Sequence, residues 1–321
     1  TVLDAAHAIA FQCRRNLAIR KQSHQELLQQ LATDAAPRVD PFQRIHKREV
    51  HVEPDIHKVP IEPEEDVLLF IRDHNPYLAE WQKDLLTIVH ESTQYFLPQI
   101  ETKIMNEGWA TYWHKRILDS LELPQELHLE FIVRHNQVVR PTPGGLNPYH
   151  LGLRVWEDIF RRYEEPTGDE IRSFGPGGRG LEKLFETREV DRDTSFLRRH
   201  LTENLVRDLN LFEYQAQGDD VIATHVADEE GWRAVKETLV KSVGMNSFPV
   251  IKIVDADYGR NRTLYLAHEH DGRDLQLDYA EKTLAYLYSL WQREVALETV
   301  LSGVKTLLGY GEQGFVSKSL K

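Results

Sequence analysis

Cysteine is almost missing from this chain: Cys13 is the sole one in 321 residues. No disulfide can form within the chain, and a cysteine-built zinc cage is excluded. A single thiol fits a reducing compartment. Long apolar runs are missing too. None approaches the ~20 residues needed to cross a bilayer, so no membrane span is expected. Positive charge is in deficit, with 39 Lys and Arg against 51 Asp and Glu and a net charge of −12. That balance excludes general attraction to nucleic acid or an anionic membrane, because neutralising phosphates needs a basic surface. The cluster of Arg188, Arg192, Arg198 and Arg199 reads as a solvated face. An initiating methionine is lacking as well. The chain starts at Thr1, so it is expected to be a fragment or a trimmed chain, and the lack of a signal peptide carries no weight.

What is present is ordinary for a globular protein, 41% hydrophobic and 28% charged, and the length suggests about two domains. Residues 1–33 read as helix, with Leu3, Ala6, Ala10 and Cys13 at helical spacing. From Asp34 the pattern dissolves. Pro37, Pro41, Pro54, Pro60 and Pro63 interrupt a charged stretch that carries His46, His51 and His57, and such a density of proline favours an extended connector. Helices are then predicted over 66–73, 77–96 (with Leu78, Trp81, Leu85, Ile88 and Val89 inward), 100–118, 124–135 and 148–163. Pro98 is placed in the first turn of the third of these, and Asn147-Pro148 supplies a cap and first residue for the last. Phe174-Gly-Pro-Gly-Gly-Arg-Gly180 lacks the Lys-Ser/Thr ending of a phosphate-binding loop. Later, strand-like runs at 205–215 and 221–226 precede a helix at 230–243. Runs at 250–255 and 263–268 precede a helix at 279–291, and 295–300 with 305–310 suggest a hairpin. The chain is therefore read as α+β: a segment with a linker (1–62), a helical core domain (63–195), and a smaller antiparallel sheet domain with helices on one face (196–321).

The segment 100–118 carries the chemistry. Ile100, Ile104, Glu107, Thr111, His114 and Leu118 fall within roughly 80° of arc on a helix. The aliphatic members should face the core, so Glu107 and His114 are expected to point inward with them. An ionised carboxylate buried without a partner costs several kcal/mol or shifts its pKa upward, about 3–5 units at the extreme. Something must therefore face Glu107: a metal, a cation or another acid–base group. His114 cannot serve directly, because seven residues of helix rise about 10.5 Å. Gly108, directly after Glu107, suggests that a backbone or ligand comes close. The plainer reading is a Glu paired to a cation with His114 as a satisfied core histidine.

The string from Pro98 through Asn106-Glu107-Gly108-Trp109-Ala110 to Trp113-His114 resembles the signature of the SpoVR family, stage V sporulation protein R. Further blocks at Leu146-Asn147-Pro148-Tyr149-His-Leu151-Gly152, Ser195-Phe196-Leu197-Arg198 and Leu290-Trp291 through Leu297-Glu298-Thr299 are similar to that family too. The resemblance implies a cytoplasmic protein of spore cortex formation or of bacterial stress and envelope physiology. It further implies work alongside a PrkA-type serine kinase and its companion protein. More distantly, Asn-Glu-Gly-aromatic-Ala-Thr-aromatic looks like the gluzincin helix that supplies the third zinc ligand, which implies a zincin-like fold for the helical part. The His-Glu-x-x-His helix of those enzymes is lacking: His90-Glu91-Ser92-Thr93-Gln94 begins like one but has Gln94 in place of the second His. The family's upstream region is expected to carry two histidines, and with Glu107 these would hold Zn2+.

Two functions follow as expectations. One is a zincin-like metallohydrolase with Glu107 as metal ligand, His114 and His90 as further candidate ligands, His114 or Glu91 as base, and Tyr112 or Tyr95 as oxyanion donors. The other is a non-enzymatic regulatory or scaffold protein with a degenerate metal site. His268 and His270, on one face of a strand end, form a second metal-like cluster or the half-buried edge of a sheet.

Overall fold

The computed structural model describes residues 1–13, 26, 29, 60, 62–142, 145–217, 220–226 and 231–320, with the backbone alone for 212–217 and 220–226. The three linker histidines, most of the proline-rich connector and the second half of the 1–33 helix lie outside them. Packing divides the chain into two units, Thr1–Tyr95 with Phe248–Lys321, and Phe96–Ser247.

The first unit is built on helices with explicit start signals. Thr1 and Asp4 form a reciprocal capping box on α1 (Val2–Ile9). Asp66 caps α2 (Val67–His74) by accepting from the Leu69 amide. The long α3 (Glu80–Glu101) begins here, and the division between the units falls within it. Leu78 and Val89 are buried as predicted and Leu85 only partly, Leu86 is buried though not predicted, and Trp81 and Ile88 face solvent, 60% and 56% exposed. The apolar stripe of this helix is thus narrower than its sequence suggests.

Later in the chain come β3 (Ile251–Tyr258), β4 (Thr263–His268), α12 (Leu277–Trp291), β5 (Val295–Leu301), β6 (Val304–Gly311) and β7 (Gly314–Ser319). The strands form one sheet in the order β3-β4-β5-β6-β7. The expected antiparallel sheet is mixed, because β4 and β5 run parallel. A parallel pair cannot be joined by a tight turn, and α12 provides the crossover. The expected hairpin is β5–β6, closed at Ser302-Gly303 with φ of 49° and 78°, the left-handed pair that suits the twist of a two-residue turn. β7 was not anticipated. Trp291, Leu290 and Leu284 of α12 are buried against Leu264, Leu266 and Leu297 of the sheet and Leu68 and Ile71 of α2.

The second unit holds α4 (Lys103–Ser120), α5 (Gln125–Val138), α6 (Pro148–Glu164), α7 (Ile171–Phe174), α8 (Gly180–Val190), α9 (Asp193–His200), α10 (Glu203–Asp208), the hairpin β1 (Phe212–Gln217) and β2 (Asp220–Val226), and α11 (Trp232–Ser242). The strand predicted over 205–215 is helical at its start, since Thr202 caps α10 through the Leu205 amide. Asn147 caps α6 by accepting from the Tyr149 and His150 amides, and Pro148 fills the first helical position as predicted. Leu151, Val155 and Ile159 of α6 are buried around Trp156, which is fully buried against Phe196.

Asn75 ties distant parts of the first unit together. Its Nδ2 donates to the carbonyls of Leu290 and Trp291, at 2.7 and 3.2 Å, and its Oδ1 accepts from the Tyr77 amide. Asn75→Ala strands these buried groups, so urea unfolding is expected to show a loss of about 2 kcal/mol; an unchanged midpoint would refute the role.

Candidate functional site

The site must be rebuilt from the start of α4. The predicted helix 100–118 is two elements: Ile100 ends α3, Thr102 breaks the ladder with φ −127°, and α4 begins at Lys103. Pro98 accordingly lies in the last turn of α3, where the Thr102 hydroxyl donates to its carbonyl at 2.6 Å. This break resets the helical phase between Ile100 and Ile104. The residues of α4 that are buried are Ile104, Met105, Gly108, Thr111 and Tyr112, a face turned about 80° from the predicted one.

Three contacts fix that face. Asp193, itself buried at the start of α9, accepts from the amides of Ile104 and Met105, both at 2.9 Å. It caps α4 from 89 residues away and places a carboxylate at the positive end of the helix. Burial pushes its carboxyl up to about 6, against the pull of those same amides. Trp156 Nε1 donates to the Met105 carbonyl at 3.1 Å. Finally, Gly108 meets Gly152 of α6 backbone to backbone. A Cβ on Gly108 would lie 2.3 Å from the Gly152 carbonyl carbon, and one on Gly152 would lie 2.2 Å from the Ile104 oxygen. The glycine after Glu107 thus admits a neighbouring helix, one of the two alternatives that its position suggests. Trp109 packs edge-on to Trp156 at 5.1 Å and Trp113 edge-on to Trp109 at 5.6 Å, so these weak helix formers are retained for packing.

Glu107 stands at the border of this face, half-buried. Tyr149 of α6 stands beside it, and the Glu107 carboxylate raises the pKa of that phenol. Tyr149 and Gly152 are one turn apart on α6, as Glu107 and Gly108 are adjacent on α4. Tyr149 lies inside a sequence block already noted, yet nothing local marks it as the neighbour of Glu107; only pairing the two glycines across the helices would have found it.

The remaining candidates are placed differently from expectation. His114 does not point inward. It is exposed, with its ring edge-on to Phe131 of α5 at 5.5 Å, a direct consequence of the rotated face. Tyr112 is buried, its hydroxyl accepts from Arg116 at 2.8 Å, and burial raises its pKa. In the first unit, His90 Nε2 is 2.8 Å from Asp66 Oδ2, the same carboxylate that caps α2. Glu91 and Tyr95 are exposed. His268 and His270 lie side by side at the end of β4, ring centroids 5.8 Å apart. Two of the four arginines read as a solvated face are ion-paired, Arg192 to Glu101 and Arg199 to Asp191.

Among the described residues, no three His, Cys, Asp or Glu side chains converge so as to hold a metal. Glu107 has the chemistry of a zinc ligand, but no second and third ligand from these residues join it. The residues present therefore do not fit zinc as a self-contained set, and no hydrolytic step is derived through one.

The family described as SpoVR like protein matches residues 1–248, and the SpoVR-like C-terminal domain matches residues 249–302. The chain belongs to the SpoVR family. It is similar to the protein of Escherichia coli (strain K12) called Uncharacterized protein YcgB, with 33% identity over 261 residues, covering 75% of this chain and 50% of that protein. The chain thus spans about half the length of this curated relative. No solved structure matches. Among the described residues no helix is long and apolar enough to cross a membrane.

Two outcomes test this geometry. Gly108→Ala drives a methyl group into backbone that cannot yield, so it is expected to cost about 3 kcal/mol in denaturant unfolding. A loss below about 1 kcal/mol, the ordinary range for a helical Gly→Ala change, would refute the close crossing. The second concerns pH. The Asp193 pKa of about 6 in the fold lies above its ordinary 3.8, so its contribution to stability is complete below about pH 4 and lost as pH rises through about 6. His200 slopes oppositely: burial pushes it down to about 4 from 6.5, so its contribution is complete above about 6.5 and lost as pH falls through about 4. Asp193→Asn removes only the first slope. Its unfolding free energy is expected to rise between pH 4 and 7 more steeply than that of the wild type, by about 2–3 kcal/mol; parallel curves would count against the buried carboxylate.

Proposed function

We propose that this chain is a non-enzymatic, regulatory part of a SpoVR-family protein, cytoplasmic and acting in spore cortex formation or in bacterial stress and envelope physiology. It works there with a PrkA-type serine kinase. The observation that carries this reading is what occupies the most chemical-looking helix of the chain. Glu107 stands beside Tyr149, Gly108 is used up by Gly152, and His114 faces solvent beside Phe131. Each residue of the motif has a structural employment, and none of them meets another in a catalytic arrangement. Glu107 of α4 faces Tyr149 in the first turn of α6, and the two lie on a surface that a partner protein can read.

The experiment is metal analysis and urea unfolding of the full-length protein as wild type, Glu107→Ala and Tyr149→Phe. On this reading both variants keep the metal content of the wild type, whatever that is, and lose at most about 1 kcal/mol of stability. A transition metal bound by the wild type and lost specifically in Glu107→Ala would overturn it in favour of the metallohydrolase.

A further inference from the structure

The helix α5 is tied to its unit along one side. Phe131 is its sole buried residue, and the ring lies edge-on to His114 of α4 at 5.5 Å. His128 and His135, one turn before and after Phe131, are half-buried near that ring, with centroids 6.3 and 5.6 Å from it. These three side chains define the inner face.

A second apolar stripe runs along the other side. Leu129, Ile132, Val133 and Asn136 follow the i, i+3, i+4, i+7 spacing of a helix face, about 100° wide and about 150° round the axis from Phe131. Its three aliphatic members are open to solvent, Leu129 and Val133 at 54% exposure and Ile132 at 37%. A surface helix needs one apolar face, turned to the core. Single exposed aliphatic residues are ordinary, but three in one stripe opposite the buried side mark a contact surface.

Charge says what covers it. Beside the stripe the acids come first and the bases last: Glu126 and Glu130 in the first half of α5, Arg134 in the second half and Arg140 just beyond it, all exposed. The helix dipole favours that order within one helix, and an antiparallel second copy uses the same order again. With the two stripes face to face about Ile132 and Val133, Glu130 stands opposite Arg134 of the second copy, and Glu126 lies toward its Arg140. A parallel copy would set acid beside acid, and a partner of one charge sign would be repelled by half of the helix. In the single chain Arg134 meets its own Glu130 loosely, at 3.6 Å with both side chains exposed.

We propose that two copies of this chain pair through the outer stripe of α5, antiparallel, with Glu130 of each facing Arg134 of the other. A twofold contact of this kind closes on itself and stops at a dimer. The helix has 14 residues and a length of about 21 Å. The interface therefore belongs to the small class, below about 1,200 Å2 in total, and the dimer dissociates in the micromolar range.

The test is analytical ultracentrifugation of the full chain over a concentration series. The wild type is expected to pass from a 37.4 kDa monomer to a species of twice that mass. Ile132→Glu should weaken association at least about 100-fold; the residue lies away from Phe131, and circular dichroism checks that the fold is kept. Glu130→Arg and Arg134→Glu each set like charges across the contact and should each weaken it about 10-fold. Mixed in equal amounts, these two variants should associate with each other as tightly as the wild type does with itself. Repair of the ion pair within one helix cannot produce that recovery, because neither chain of the mixture carries both charges. A wild type that stays monomeric at about 100 μM leaves the stripe to a different protein and overturns the proposal. A dimer that withstands Ile132→Glu, or charge variants that do not pair on mixing, overturns it equally.

Discussion

The closeness of two backbones at Gly108 and Gly152 governs the second unit. With no side chain at either position, α4 and α6 approach until main-chain atoms touch. The identities of their neighbours follow from that distance. Trp156 is brought near enough to donate to the Met105 carbonyl, Tyr149 comes beside Glu107, and Trp109 packs edge-on to both Trp156 and Trp113. Close approach also fixes rotation about the helix axis, because only one line of α4 can bear a neighbour's backbone. A chemistry that needed Glu107 and His114 on one inward face would require another rotation.

Charge is managed beneath this contact by pairing. Asp193 at the head of α4, Arg162 with Asp158, and Asp191 with His200 and Arg199 are all buried on at least one side, and each has a defined partner. Arg162 also donates to the His200 carbonyl at 3.2 Å. Breaking one partner of such a set costs more than the set contributes, because the survivor is left desolvated.

What was legible in the sequence was local. Asn147-Pro148 announces a helix start, Thr263–His268 reads as a strand, and Gly108 signals a close approach, because caps, alternation and missing side chains act over a few residues. What was not legible depends on chain that is distant or on phase. Asp193 caps a helix 89 residues earlier with no mark of its own. The crossing of Gly108 with Gly152 decides which face of α4 is buried, and it leaves His114 at the surface. The parallel pairing of β4 and β5 follows from where α12 lands, which no periodicity records. The partner of Glu107 was predicted to be a metal, a cation or an acid–base group. The group found beside it is a phenol, Tyr149, which is the third of these alternatives.

The first unit is discontinuous: Thr1–Tyr95 packs with Phe248–Lys321, while Phe96–Ser247 forms a unit of its own between them. On a ribosome this imposes an order. The intervening unit is synthesised whole and can bury its core while the earlier segment still waits for a sheet that does not yet exist. Apolar side chains of α1 and α2, among them Ile9, Leu68 and Ile71, stay uncovered until α12 and the five strands emerge. Contacts between residues more than 200 positions apart, such as Asn75 with Leu290, close last and slowly. For that interval the uncovered apolar surface lies on α1 and α2 and not in the unit that follows them.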